Sequence, residues 1–190
     1  MTIRAVPPAE VSEEPASGLG PVDVELVERA RRGDHQAFEA LYHRFVGMVH
    51  GVILARVDRA DVDDLVQDVF LTAMRRLATL REPAAFPGWL AAIARNRATD
   101  HLRASAPRHV PLTDDHAAPG DSHGEALAVL AVVRTLPEAY RETLVLRLVE
   151  GMTGPEIAAR TGLTPASVRV NLHRGMKLLR ARLMGRGSDG

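Results

Sequence analysis

Apolar residues recur along this chain at intervals of three and four, and no stretch reads as a convincing strand. That period predicts helices with one buried face and no strand. The stripe is cleanest between residues 61 and 80, where Val62, Leu65, Val66, Val69, Phe70, Ala73 and Leu77 fall on one side. The pattern predicts a first helix from Asp23 to Arg32, stopped by Gly33. Asp34 then caps a second helix to about Ala55, with Phe38, Leu41, Tyr42, Phe45, Val49, Val52 and Ile53 apolar. The clean stripe is the third helix, Asp61 to Leu80. A fourth follows Pro87-Gly88 and runs to about Arg103, with Trp89, Leu90, Ile93 and Leu102 apolar.

The last third carries start and stop signals as well as periodicity. A helix over Glu125 to Thr135 leads into Pro137, which stands where a first helical residue is tolerated. Glu138 to Glu150 is apolar at Leu144, Val145, Leu148 and Val149, and Gly151 closes that helix. Thr153 and Glu156 have capping-box spacing. Thr161-Gly162-Leu163 reads as a turn, then Thr164 is an N-cap with Pro165 at the first helical position. The helix it opens has Val168, Leu172, Leu179 and Leu183 on one side. Arg169, Arg174, Lys177, Arg180 and Arg182 lie mostly on the others. Two short helices about a small turn, the second one basic, form the helix-turn-helix that enters a DNA major groove.

Residues 104–124, with three prolines and two glycines, lack apolar periodicity and read as a linker. At full extension they reach roughly 70 Å. The expected fold is all-α: two small helical domains on a flexible linker, the C-terminal one containing the helix-turn-helix. The predicted boundaries are a tail over 1–20, a domain over 21–103, the linker over 104–124, a domain over 125–184 and a tail over 185–190. Tyr42, Tyr140 and Trp89 read as core.

The 190 residues include no cysteine, which excludes a disulfide scaffold or a thiolate metal site and suits a cytoplasmic location. No apolar run is long enough for membrane insertion, and the Pro/Glu/Ser-rich N-terminus has no secretion segment. Net charge is zero, but residues 1–30 carry six acids against two arginines, whereas residues 141–190 carry nine basic residues against four acids. Basic residues concentrated on a helix-turn-helix suit phosphate contact. In the third helix, Asp63, Asp64, Gln67 and Asp68 are left as an acidic exposed face; early acids favour a helix N-terminus, which accounts for Asp68 poorly. In the fourth helix Arg95, Arg97 and Arg103 could hold phosphate and Asn96 could read a base edge. Complementing the helix C-terminus is the structural alternative for these arginines. His101, His109, His116 and His123 have no metal-ligand pattern, no cofactor site stands out, and no catalytic constellation is present.

The order LYHRFVGMVH, DVDDLVQDVF, FPGWLAAIARNRATDHLR, linker, LPEAYRETLVLRLVEGMTGPEIAARTGLTPASVRVNLHRGMKLLRARL resembles a bacterial RNA polymerase sigma factor. It is similar to the small two-domain type called extracytoplasmic-function, or group IV, over about Asp23 to Leu183. The resemblance implies that Asp63, Asp64, Gln67 and Asp68 dock on core RNA polymerase. It implies that the loop Leu80 to Phe86, with Arg81, and the helix bearing Arg95, Asn96, Arg97, Asp100 and Arg103 recognise and open the promoter −10 element. It implies that Thr164, Ser167, Arg169, Val170, Asn171, Arg174 and Lys177 read the −35 element of promoter DNA. It also implies an anti-sigma protein that masks the acidic face and the basic recognition helix together; the acidic tail Glu10 to Glu14 is a rival internal mask.

The chain departs from that family at Arg169-Val170-Asn171, where a basic-Ser-Arg run is common, and at Met176, where a basic residue is usual. Met74 replaces a frequent aromatic and is expected to be a packing change. An ordinary helix-turn-helix regulator is the alternative function, though it requires neither the acidic face nor the ARNRATDHLR helix. An enzyme with an incidental DNA-binding domain is a remote third class.

Overall fold

The computed structural model describes residues 21–105 and 122–186. Among the described residues are eight α-helices: α1 Pro21–Arg31, α2 His35–Leu54, α3 Val62–Arg76, α4 Phe86–Ser105, α5 Ser122–Arg134, α6 Glu138–Leu148, α7 Gly154–Thr161 and α8 Pro165–Arg186. No strand occurs among the described residues. The central part of the expected linker, the tail over 1–20 with Glu10 to Glu14, and residues 187–190 lie outside them, while α8 runs two residues into the expected C-terminal tail. Helices α4 and α5 reach into the two ends of that linker, to Ser105 and from Ser122.

Local chemistry accounts for most boundaries. Asp34 caps α2 by accepting from the Ala37 N–H at 3.1 Å, and Arg29 holds the same carboxylate at 2.7 Å. The third helix is shorter than its stripe, because single 3-10 turns flank it at Arg59–Asp61 and Leu77–Thr79. Pro87-Gly88 lies inside the first turn of α4 and not before it, since proline is tolerated where the N–H has no helical acceptor. Pro137 takes the N-cap position of α6, with ψ 141°. Thr153 and Glu156 form the reciprocal capping box of α7, and Gly162 closes that helix at φ 74°, a backbone conformation costly for residues with a Cβ.

Helices α1 to α4 share one core. Leu41, Phe45, Met48 and Val52 of α2 meet Val66, Val69 and Phe70 of α3 and Phe86 and Leu90 of α4. Phe45 and Phe86 pack edge to face with centroids 5.3 Å apart, and Phe70 sits 4.6 Å from Tyr42. Tyr42, Trp89 and Tyr140 are partly buried against the core. Met74 and Leu102 are exposed, so Met74 is a surface residue and not the packing change expected.

The second unit is built round α6. The expected apolar side of α6 is only half right: Leu144 and Val145 are buried, but Leu148 and Val149 are exposed. Glu142, Thr143 and Leu146 are buried in their place. The reason is tertiary. Helix α6 packs on α5, α7 and α8, and also on α2 of the first unit. A helix covered on several sides no longer shows one apolar face.

The two units therefore lie directly against each other. Arg95 of α4 grips the Glu142 carboxylate in bidentate fashion at 3.0 and 2.7 Å, and Arg56 reaches it at 2.9 Å. His50 Nδ1 of α2 lies 2.6 Å from Glu150 Oε1. Arg134 of α5 bonds the Asp58 carboxylate at 3.0 Å and donates to the carbonyls of Leu54 and Val57, covering the C-terminal end of α2. Arg160 of α7 donates to the Arg44 carbonyl at 3.0 Å. Burial pushes the Glu142 carboxyl up, but the Arg95 and Arg56 guanidiniums outweigh it and hold the group below its usual range. The Glu150 hydrogen bond raises the His50 imidazole against the effect of burial; the charges of Glu150 and Asp63 add to it and Arg59 opposes it.

Truncating the centre of the first core should be costly. Phe45→Ala is expected to destabilise by about 3–5 kcal/mol, whereas Leu71→Ala, at 50% exposed, should stay within about 0.5 kcal/mol. Urea unfolding followed by circular dichroism checks both.

The histidine contact has a defined pH sign. A raised imidazole value contributes stability that is present below the ordinary 6.5 and lost as pH rises through the folded value. The lowered Glu142 value contributes stability present above 4.5 and lost as pH falls through its own folded value. The stability gap between wild type and His50→Gln should thus be larger at about pH 6 than at about pH 8. Urea midpoints for both chains across that range measure it, and a constant gap would refute the assignment.

Candidate polymerase and DNA interfaces

The acidic face of α3 is a direct product of its stripe. With Leu65, Val66, Val69 and Phe70 buried, the 3.6-residue period turns Asp63, Asp64, Gln67 and Asp68 to solvent, and all four are exposed. Asp68 is not isolated: Arg97 of α4 donates to it at 3.2 Å. The acidic face thus continues into the basic half of α4. The apolar side chains of Leu71 and Met74 lie exposed further along α3.

Helix α4 separates its polar residues into two groups. Asn96, Asp100 and Arg103 are exposed, as is Arg81 in the loop before the helix. Arg95 is turned inward, with 29% of its side chain exposed, and is committed to Glu142 and to the Thr161 carbonyl at 3.2 Å. It is therefore not open to phosphate in this arrangement, unlike the sequence expectation. Arg97 is half-exposed and engaged with Asp68. His101 contacts Asp61 at 3.2 Å, which ties the C-terminal half of α4 to the start of α3.

Helices α7 and α8 form the helix-turn-helix. Thr164 Oγ1 accepts from the Ser167 N–H at 3.1 Å and caps α8. Val168 and Leu179 anchor α8 in the core, and Leu172 and Met176 pack partly against it. The opposite face presents Thr164, Ser167, Arg169, Val170, Arg174 and Lys177 to solvent, with Asn171 half-buried. Arg169 and Val170 lie in the first turns, where a recognition helix reaches base edges. Arg182 is withdrawn from that face and bonds the Thr135 carbonyl at 2.9 Å.

Periodicity could not reveal the residues that join the two units. Arg56, Glu142, Glu150 and Arg134 pair across separations of 76 to 100 residues or to a shared partner, and none forms a local motif. The one available signal was Glu142 itself, an acid among the apolar positions of α6.

Among the described residues no helix is long and apolar enough to cross a membrane, and no group of three or more metal-ligating side chains comes together. The family model described as Sigma-70 region 2 matches residues 41–108, and that described as Sigma-70, region 4 matches residues 126–179. These matches coincide with α2 to α4 and with α5 to most of α8. The RNA polymerase sigma factor CarQ of Myxococcus xanthus is 37% identical over 163 residues, covering 81% of this chain and 93% of that protein. The ECF RNA polymerase sigma-E factor of Escherichia coli is 31% identical over 176 residues, covering 83% of this chain and 92% of its own length. Among solved structures, CnrH in complex with the cytosolic domain of CnrY aligns with a TM-score of 0.63 at 28% identity. That alignment covers 89% of this chain and 99% of the matched chain. An acidic helix face, a half-basic helix and a capped helix-turn-helix thus occur in the family's own order, and the chain belongs to the ECF group of sigma-70 RNA polymerase sigma factors.

Proposed function

We propose that this sigma factor divides its work among three surfaces. The α3 face of Asp63, Asp64, Gln67 and Asp68 docks on core RNA polymerase. The loop bearing Arg81 and the exposed side of α4, with Asn96, Arg97, Asp100 and Arg103, engages the −10 element. The first turns of α8, from Thr164 and Ser167 through Arg169, Val170, Asn171, Arg174 and Lys177, engage the −35 element. The observation that carries this reading is the exposed basic start of α8 behind its Thr164 cap, in a chain whose separate acidic face lies on α3. Opposite charge on two surfaces suits two partners, one basic protein surface and one nucleic acid.

Phosphodiester chemistry belongs to the polymerase, and no catalytic role is assigned to this chain. The absence of cysteine suits a cytoplasmic site of action. The solved complex of the relative CnrH holds the cytosolic domain of CnrY, which supports an anti-sigma protein as a third partner here. Such a partner would cover the α3 face and the start of α8 while the chain is inactive.

Charge reversal isolates the polymerase contact. Asp64 is the better target than Asp68, because changing Asp68 would also release Arg97. Asp64→Lys should lower affinity for core polymerase about tenfold, mainly through slower association at low salt. Equal affinity for the folded variant in a core-binding titration would remove α3 from the docking surface.

Base reading isolates the DNA contact. If Arg169 is bidentate to a guanine, Arg169→Ala should cost about 1–3 kcal/mol at that site and relax the preference there. Arg174→Ala should weaken all sequences alike. A binding selection with reconstituted holoenzyme reads both, and identical base preferences for wild type and Arg169→Ala would refute the readout role.

A further inference from the structure

Arg95 is the most occupied polar side chain on α4. Its guanidinium makes two parallel bonds to the Glu142 carboxylate and a third to the Thr161 carbonyl. That fork is the geometry in which arginine also grips a phosphate. Thr161 is the last residue of α7, so one side chain ties the fourth helix to the helix-turn-helix. Glu142 is buried and also holds Arg56.

The backbone is shaped for this contact. Helix α2 carries Gly47 and Gly51, one turn apart, on the side that meets the second unit. A Cβ on Gly51 would lie 2.6 Å from Leu146 Cδ2 and 3.0 Å from Glu150 Cγ. Glycine weakens a helix interior, so its presence here is accounted for by close approach and not by helix stability. At the other edge, a Cβ on Gly162 would lie 3.2 Å from the Gly88 Cα. Between the units lies a cleft lined by Pro87, Trp89, Leu163, Thr164 and Pro165, so the N-terminus of the recognition helix opens toward α4.

We propose that the contact between the units is a self-locking device, in which Glu142 occupies the anion site that Arg95 offers to a DNA backbone phosphate once the units separate. The inference rests on the DNA-facing role proposed for α4. In the closed chain Arg95 is withdrawn, whereas the start of α8 stays exposed beside the cleft. Separation of α2 from α6 releases Arg95. A buried ion pair gains little net stability, because the attraction of its charges is offset by their loss of water. The lock is therefore weak enough to open when a partner binds the separated form better.

The absence of cysteine allows a direct test. Ala78→Cys and Ala181→Cys place two dyes on exposed positions, one in each unit. Two independent changes open the lock: Gly51→Leu wedges α2 from α6, and Glu142→Gln removes the charge. Circular dichroism verifies that each variant stays helical. The expected result is lower energy transfer in both. The free full-length chain should then bind about tenfold tighter to a duplex selected by the reconstituted holoenzyme, as the competent fraction rises. In the Gly51→Leu chain, Arg95→Ala should reverse most of that gain and reduce the salt slope by about one.

Unchanged energy transfer in both helical variants would overturn the lock. Lower transfer with unchanged DNA affinity would overturn the masking. An unchanged salt slope after Arg95→Ala in the opened chain would overturn the exchange of carboxylate for phosphate. A wild-type chain that fails to direct core polymerase to the duplex would sink the proposed surfaces instead, and that assay is independent of the dyes.

Discussion

Helix α6 has water on almost no side at its centre, and this constraint organises the rest of the molecule. It packs on α5, α7 and α8 within its own unit and on α2 of the other. Its middle residues Glu142, Thr143, Leu144, Val145 and Leu146 are all buried. A carboxylate in that position must be neutralised by neighbours, since an unpaired buried charge would cost several kcal/mol. Arg95 and Arg56 meet the need, and both come from the first unit. The second unit is thus incomplete electrostatically without the first.

The same requirement redistributes the chain's charge. Of the three arginines on α4, Arg95 is bound inward, Arg97 is shared with Asp68, and Arg103 has only a 4.0 Å contact with Asp100. On α8, Arg169, Arg174 and Lys177 stay exposed. A net charge of zero therefore hides a molecule with an acidic α3 and a basic α8. Pairing inside the fold decides which cations remain for a partner, and composition does not.

Burial and exposure divide α3 and α8 into two faces. Their buried stripes fix each helix in its unit, and the residues left outside are those proposed to meet polymerase and promoter. A surface formed in this way is rigid because the opposite face is packed, so charged groups keep their spacing without a loop to hold them. The two proposed surfaces fall one in each matched region, α3 within residues 41–108 and the start of α8 within residues 126–179.

Helices, caps and the helix-turn-helix were legible in the residues because their causes are local. Asp34, the Thr153–Glu156 box, Gly162 and Thr164 act within a few residues of where they stand. The exposed face of α3 was legible for the same reason, as the complement of a short stripe. The direction of Arg95 was not, because its partner Glu142 is 47 residues away and no periodicity links them. The exposure of Leu148 and Val149 was missed for a related cause: a helix buried between two units does not display the one-sided pattern from which burial is inferred. Local sequence thus set where most helices begin and end and where α2 and α3 turn their apolar sides. Packing of the two units decided which charges stay exposed, since that depends on which distant groups the fold brings within 3 Å.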